Sequence, residues 1–166
     1  MGFEPSNYNK INIHVGGAYG DKETTLARFC DNFHLLNDDT KKRLVIENDD
    51  SPNEYSVKDL YEGIYKKIGI PVTFDYFHHK FNTGGQTEEE ALHLAATTWP
   101  EDVPQCCHYS ESRRKEKLDE SIRPQAHSDI IYDEIKTYGL EPDIVIEAKL
   151  KEQAIFNYGK TKTICG

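Results

Sequence analysis

Five short apolar runs, separated by stretches of helical character, constrain this chain more than any other feature. The runs cover residues 10–15 (KINIHV), Leu44–Glu47 (LVIE), 71–77 (PVTFDYF), 104–110 (PQCCHYS) and 143–148 (DIVIEA). Between and after them the pattern predicts helices over 21–36, 56–68, 87–98, 128–138 and 149–157. Asp21 and Ser56 stand at N-cap positions, Asp59 sits where a capping box needs it, and Gly69 and Gly139 stand at helix ends. Residues 48–54 read as an acidic loop, and 112–123 as a charged, exposed loop or short helix. Strands alternating with helices imply βαβ units and a parallel α/β sheet. Strands that are apolar throughout imply that both sheet faces are covered. Five such units fit either an open doubly wound sheet or part of a barrel.

Each run also ends in a residue that can bind a metal: His14, Glu47, Asp75, His108 and Glu147. The C-terminal strand ends of parallel α/β folds line the active site. One polar residue there is usually a structural one; five in five strands point to a site. His78 follows Asp75 at D-x-x-H spacing, and His127 follows the charged loop after the fourth run. Histidine and carboxylate without thiolate suit zinc, manganese or iron, and a carboxylate can bridge two ions. His34 reads as a helix-end residue, His93 as part of a helix face, and His79 as pointing away from the site if His78 points in.

The net charge of −9 argues against a generic nucleic-acid binder, which is usually basic. Bound divalent ions reverse that argument locally, because each adds two positive charges where a phosphate would sit. Cys30, Cys106, Cys107 and Cys165 fit neither a paired zinc motif nor a disulfide framework. No run approaches the roughly 18 apolar residues of a membrane span, and residues 1–10 carry no secretory apolar region. No membrane association and an intracellular location are therefore expected.

The segments NIHVGGAYGDK (12–22), RLVIEND (43–49), VTFDYFHH (72–79), CHYSES (107–112), RPQAHSDI (123–130) and DIVIEAKLKE (143–152) carry a resemblance. In this order they are similar to the UV damage endonuclease family, whose barrel resembles those of endonuclease IV and xylose isomerase. The resemblance implies a (β/α)8 TIM barrel, of which residues 1–166 would form the C-terminal portion, the last five βα units. It implies a metal-dependent endonuclease that cuts damaged double-stranded DNA immediately 5′ of UV photoproducts or abasic sites.

It also implies up to three divalent ions, manganese first, with zinc and magnesium as alternatives. His14 and Glu47 would hold the first ion. Glu47 would bridge to a second, which Asp75, His108 and Glu147 also hold, and His78 and His127 would hold the third. Glu47 is thus the expected centre of catalysis, and Lys149 an expected phosphate contact. Arg113, Arg114 and Lys115, the one basic run beside the site, are expected to track the DNA backbone. Cys106 stands where family members can carry a modified lysine.

The family's barrel begins with three further βα units, one of which supplies another histidine. Activity is therefore expected to need that N-terminal half or a second copy, since bare strand edges pair with other chains. Two alternatives stand beside this reading. One is a non-catalytic remnant that binds metal or a partner chain. The other is a different xylose-isomerase-like barrel enzyme, either an abasic-site endonuclease or a sugar isomerase.

Overall fold

A computed structural model describes residues 2–163; Cys165 lies outside them. The expected strands form one curled, five-stranded parallel half-barrel. Its strands are β1 (Ile11–Ile13), β2 (Leu44–Glu47), β3 (Val72–Asp75), β4 (Cys106–Tyr109) and β5 (Asp143–Ile146), in chain order across the sheet. Cα register sorts the side chains. Asn12, Val45, Thr73, Cys106 and Asp143 share one face, and Ile13, Ile46, Val72, Phe74, Cys107 and Ile144 the other.

The second face packs on helices. These are α1 (Lys22–Phe33), α2 (Asp38–Arg43), α3 (Val57–Leu60), α4 (Lys66–Ile68), α5 (Tyr76–His79), α6 (Glu88–Ala96), α7 (Arg113–Lys117) and α8 (Glu152–Thr163). Ile46, Val72, Phe74 and Cys107 are fully buried there, with Leu60, Ile64 and Leu92 from the helices. On the opposite face, Val45 and Cys106 pack beneath Trp99, whose indole N–H donates to the Val72 carbonyl at 2.8 Å. Cys106 is thus a buried thiol.

The caps form where the sequence placed them. Asp21 caps α1, and Ser56 and Asp59 form a reciprocal capping box on α3. Between α3 and α4 the helix widens into a π-helical stretch, Tyr61–Tyr65. Gly63 sits inside it because α1 passes close by: a Cβ there would meet Leu26 Cδ1 at 2.5 Å.

Three expectations are corrected and one helix is added. Residues 128–138 form no helix. The buried Glu111 carboxylate accepts the backbone N–H groups of Tyr132 and Asp133, at 2.8 and 2.9 Å, and so diverts them from helical bonding. The third strand stops at Asp75 rather than at residue 77. Asp75 accepts from the N–H groups of Phe77 and His78, both at 2.7 Å, and starts the turn α5. The last helix starts at Glu152 rather than at 149, because the Lys149 N–H donates to Ser128 and Lys151 turns left-handed. Helix α2 is additional, capped by Asn37.

Candidate metal centre

At the C-terminal end of the sheet, Glu47 sits among three histidines. Its Oε1 lies 3.8 Å from His14 Nε2 and 3.4 Å from His78 Nδ1; its Oε2 lies 3.2 Å from His108 Nδ1. Two groups of ligand atoms result, His14–Glu47–His78 and Glu47–Asp75–His108, each with its atoms within 4.8 Å of one another. Glu47 belongs to both, so one carboxylate faces two ion positions. His108 Nδ1 lies 3.2 Å from Glu147 Oε1, which places Glu147 beside the second group.

The structure departs from the expected grouping at His78. The turn that Asp75 caps swings its ring toward His14, at 5.5 Å between centroids, while His127 lies 6.5 Å away. His79 packs instead on Phe74, away from the site.

Whether these side chains fit a cation is tested by what they leave unmet. Asp75 Oδ2 is fully buried and has no hydrogen-bond partner, a costly state for a polar atom that an ion relieves, and His108 Nδ1 lies between two carboxylates, Glu47 and Glu147, each at 3.2 Å. The ring nitrogens agree. His14 Nδ1 is 2.7 Å from Asp49 Oδ1, His78 Nδ1 is 2.9 Å from the Asn48 carbonyl, and His127 Nδ1 is 3.1 Å from the Glu147 carbonyl. Each contact fixes the proton on Nδ1 and leaves Nε2 bare, which is how ligating histidines are oriented. The residues fit a divalent cation.

Electrostatics give the same result. Hydrogen bonding to Asp49 raises the pKa of His14 to about 9. Burial alone would lower that of His108, but contact with Cys106, Glu147 and Glu47 outweighs it and pushes the value up to about 12. Burial raises Asp75 to about 6 against the pull of His78. Burial also works against Glu47, but the three histidines outweigh it and hold Glu47 below the ordinary carboxylate range. Protons thus balance the acids here, and a bound cation would displace them.

Several residues escaped the sequence reading. Asp49 lay within an acid-rich loop, indistinguishable from a solvated run. Asn48 ties β2 to β3: its side chain accepts from the Asp75 N–H at 2.8 Å and donates to the Asp75 carbonyl at 3.1 Å. Asn12 Nδ2 donates to Glu47. The alternating face pattern of the strands was the only signal for Asn12; Asn48 had none.

The remaining candidates lie further out. His127 joins neither ligand group, though its Nδ1 is 3.7 Å from Glu147 Oε2. Lys149 is exposed. Arg113, Arg114 and Lys115 each hold an acid: Asp129 at 3.1 Å, Glu120 at 3.1 Å and Asp133 at 3.0 Å. These pairs stiffen the loop after β4, which closes on itself through the Ser112–His127 bridge.

Comparison with known proteins supplies a context for this geometry. A family model described as UV-endonuclease UvdE matches residues 1–164. A UV DNA damage endonuclease from Bacillus pumilus is 37% identical over 93% of this chain and 48% of its own length. A UV-damage endonuclease from Schizosaccharomyces pombe is 37% identical over 87% of this chain and 24% of its own length. Among solved structures, one titled "Crystal Structure of SacUVDE" superposes with a TM-score of 0.77 at 35% identity, covering 94% of this chain and 52% of that one. The chain spans about half the length, or less, of the curated relatives it matches.

Proposed function

The chain belongs to the UV-endonuclease UvdE family, and from that premise we propose that residues 1–166 carry the metal-binding portion of a TIM-barrel DNA repair endonuclease. The proposed substrate is double-stranded DNA, cut immediately 5′ of UV photoproducts or abasic sites. The observation that carries this reading is Glu47, shared by both ligand groups, beside the unpartnered Asp75 Oδ2.

His14, Glu47 and His78 would hold one ion, and Glu47, Asp75, His108 and Glu147 a second. His127, with Nε2 bare, is a candidate for a third. Manganese suits this oxygen and imidazole set, with zinc and magnesium the alternatives. When bound, such ions supply a nucleophilic water at neutral pH and neutralise charge on a phosphodiester.

The protein's own residues fix that chemistry in place. Asp49, Asn48 and the Glu147 carbonyl orient three imidazoles. Asn12 and His108 hold the second Glu47 oxygen. Lys149, exposed and two residues beyond Glu147, would meet a phosphate. The stiffened loop carrying Arg113, Arg114 and Lys115 meets DNA only if phosphates displace its acidic partners.

The free edges of β1 and β5 are where further strands would close the barrel. Cleavage is proposed to need them, from further βα units or from a second copy. The test is manganese-dependent nicking of a duplex with one defined photoproduct by the chain supplied with those further βα units or a second copy, with the cut position mapped. Nicking 5′ of the lesion that is lost in Glu47→Gln is the expected result. Full metal-dependent nicking by Glu47→Gln would overturn the assignment, and bound metal without any nicking would favour the non-catalytic reading.

A further inference from the structure

The loop joining β1 to α1 presents an aromatic ring whose position neither the core nor a helix end explains. Tyr19 is 88% exposed. Its φ is 49°, the left-handed region that bulky residues rarely adopt. Three other non-glycine residues share that conformation, Leu118, Tyr138 and Lys151. Leu118 ends α7, where a left-handed residue is common, and the Tyr138 hydroxyl donates to Glu88 at 3.0 Å. Lys151 makes the turn into α8. Tyr19 is the first central residue of the turn that the Asp21 N–H closes on the Ala18 carbonyl at 2.9 Å, with Gly20 also left-handed, so the turn points its ring away from the core.

The surroundings have a specific shape. The Tyr19 ring rests over Gly17: a Cβ at Gly17 would lie 3.7 to 4.0 Å from three ring atoms. Beside it opens a cleft of about 560 Å³, lined among others by Lys22, Ser51, Asn53 and Glu54. Lys22 is already paired with Asp59 at 3.1 Å. Burial, together with Asp49 and Asp50, raises the pKa of the Glu54 carboxyl. With one acid, one engaged lysine and otherwise small or uncharged groups, the lining suits an uncharged flat group better than a phosphate. Tyr19 is also five residues from His14, so the chain limits their Cα separation to about 18 Å, roughly five nucleotide steps along a strand.

We propose that Tyr19 is a base-stacking residue, a π-platform that receives a nucleobase of the DNA strand held at the metal centre. This deepens the reading of the site as one that acts on DNA and rests on it. The turn between Ala18 and Asp21 holds the ring outward, where one face is open to a base.

The test uses the full chain without added metal, in EDTA, so that binding is read apart from cleavage. The probe is a duplex carrying one abasic-site analogue with 2-aminopurine beside it. Anisotropy gives the affinity and 2-aminopurine emission reports stacking. Tyr19→Gly removes the ring and relieves the backbone. It is expected to melt no lower than wild type, yet to bind about tenfold more weakly and to leave 2-aminopurine emission unchanged on binding. Tyr19→Phe keeps the ring and is expected to match wild type in both. If wild type binds and Tyr19→Gly binds equally well, stacking by Tyr19 is wrong while the DNA reading stands. If Tyr19→Gly loses binding and stability together, the role is structural and the proposal falls. A wild-type chain that binds no DNA in this assay, or in the presence of manganese, removes both readings.

Discussion

On β2 and β3 the ligand side chains are nearly dry: Glu47 is 4% exposed and Asp75 is 0%. On the outer strands they are wet, with His14 at 43% and Glu147 at 32%. The difference follows from what positions them. Glu47 and Asp75 are fixed by strands paired on both sides and by the Asn48 bridge between them. His14 and Glu147 lie beyond the two outermost strands among the described residues, and their order comes mainly from side-chain contacts, with Asp49 at 2.7 Å for one and His108 at 3.2 Å for the other. The middle of the centre is built by the sheet, while its flanks depend on side chains that can be removed one at a time.

The largest expected effect lies in the middle. Asn48→Ala leaves the Asp75 N–H and carbonyl buried without partners, and each such group costs about 1–3 kcal/mol. The variant should lose about 2–4 kcal/mol of stability in urea unfolding; a loss below about 1 kcal/mol would show that the sheet alone holds the centre. On the flank, Asp49→Ala frees the His14 ring. Removing such an orienting partner typically lowers metal affinity about 10- to 100-fold, read by chelator competition, with a smaller loss of metal-free stability than in Asn48→Ala. If stability falls as far as in Asn48→Ala, the contrast between middle and flank collapses. The smallest effect belongs to the loop after β4. Lys115→Ala breaks one exposed pair with Asp133, and its unfolding free energy should stay within about 0.5 kcal/mol of wild type.

Much of this centre was legible because strands betray their ends. Apolar runs of the right length placed all five strands, and the last polar residue of each fell at the mouth of the sheet. Local caps were equally readable, since Ser56 and Asp59 satisfy each other within one turn. What escaped depends on distant partners. Residues 128–138 have helical spacing, yet Glu111, far back in the chain, claims their N–H groups. The grouping of His78 turned on a cap made by Asp75, which a D-x-x-H spacing shows only as proximity. Arg113 and Lys115 read as free charge because their acidic partners, Asp129 and Asp133, lie beyond the charged stretch, while Arg114 pairs within it, with Glu120.

The sequential strand order has a consequence for how the centre comes into being. Pairs such as Ile13 with Ile46 and Phe74 with Cys107 are each one βα unit apart. Loop closure at that span costs little more from one unit to the next, so the sheet can assemble by adding neighbours to any nucleus. Glu47 and Asp75 belong to adjacent units and meet as soon as one pairing forms. His108 and Glu147 likewise meet as soon as β4 pairs with β5. The centre can therefore form as two half-sites, each local to one strand pairing, and is complete only when β3 and β4 join them.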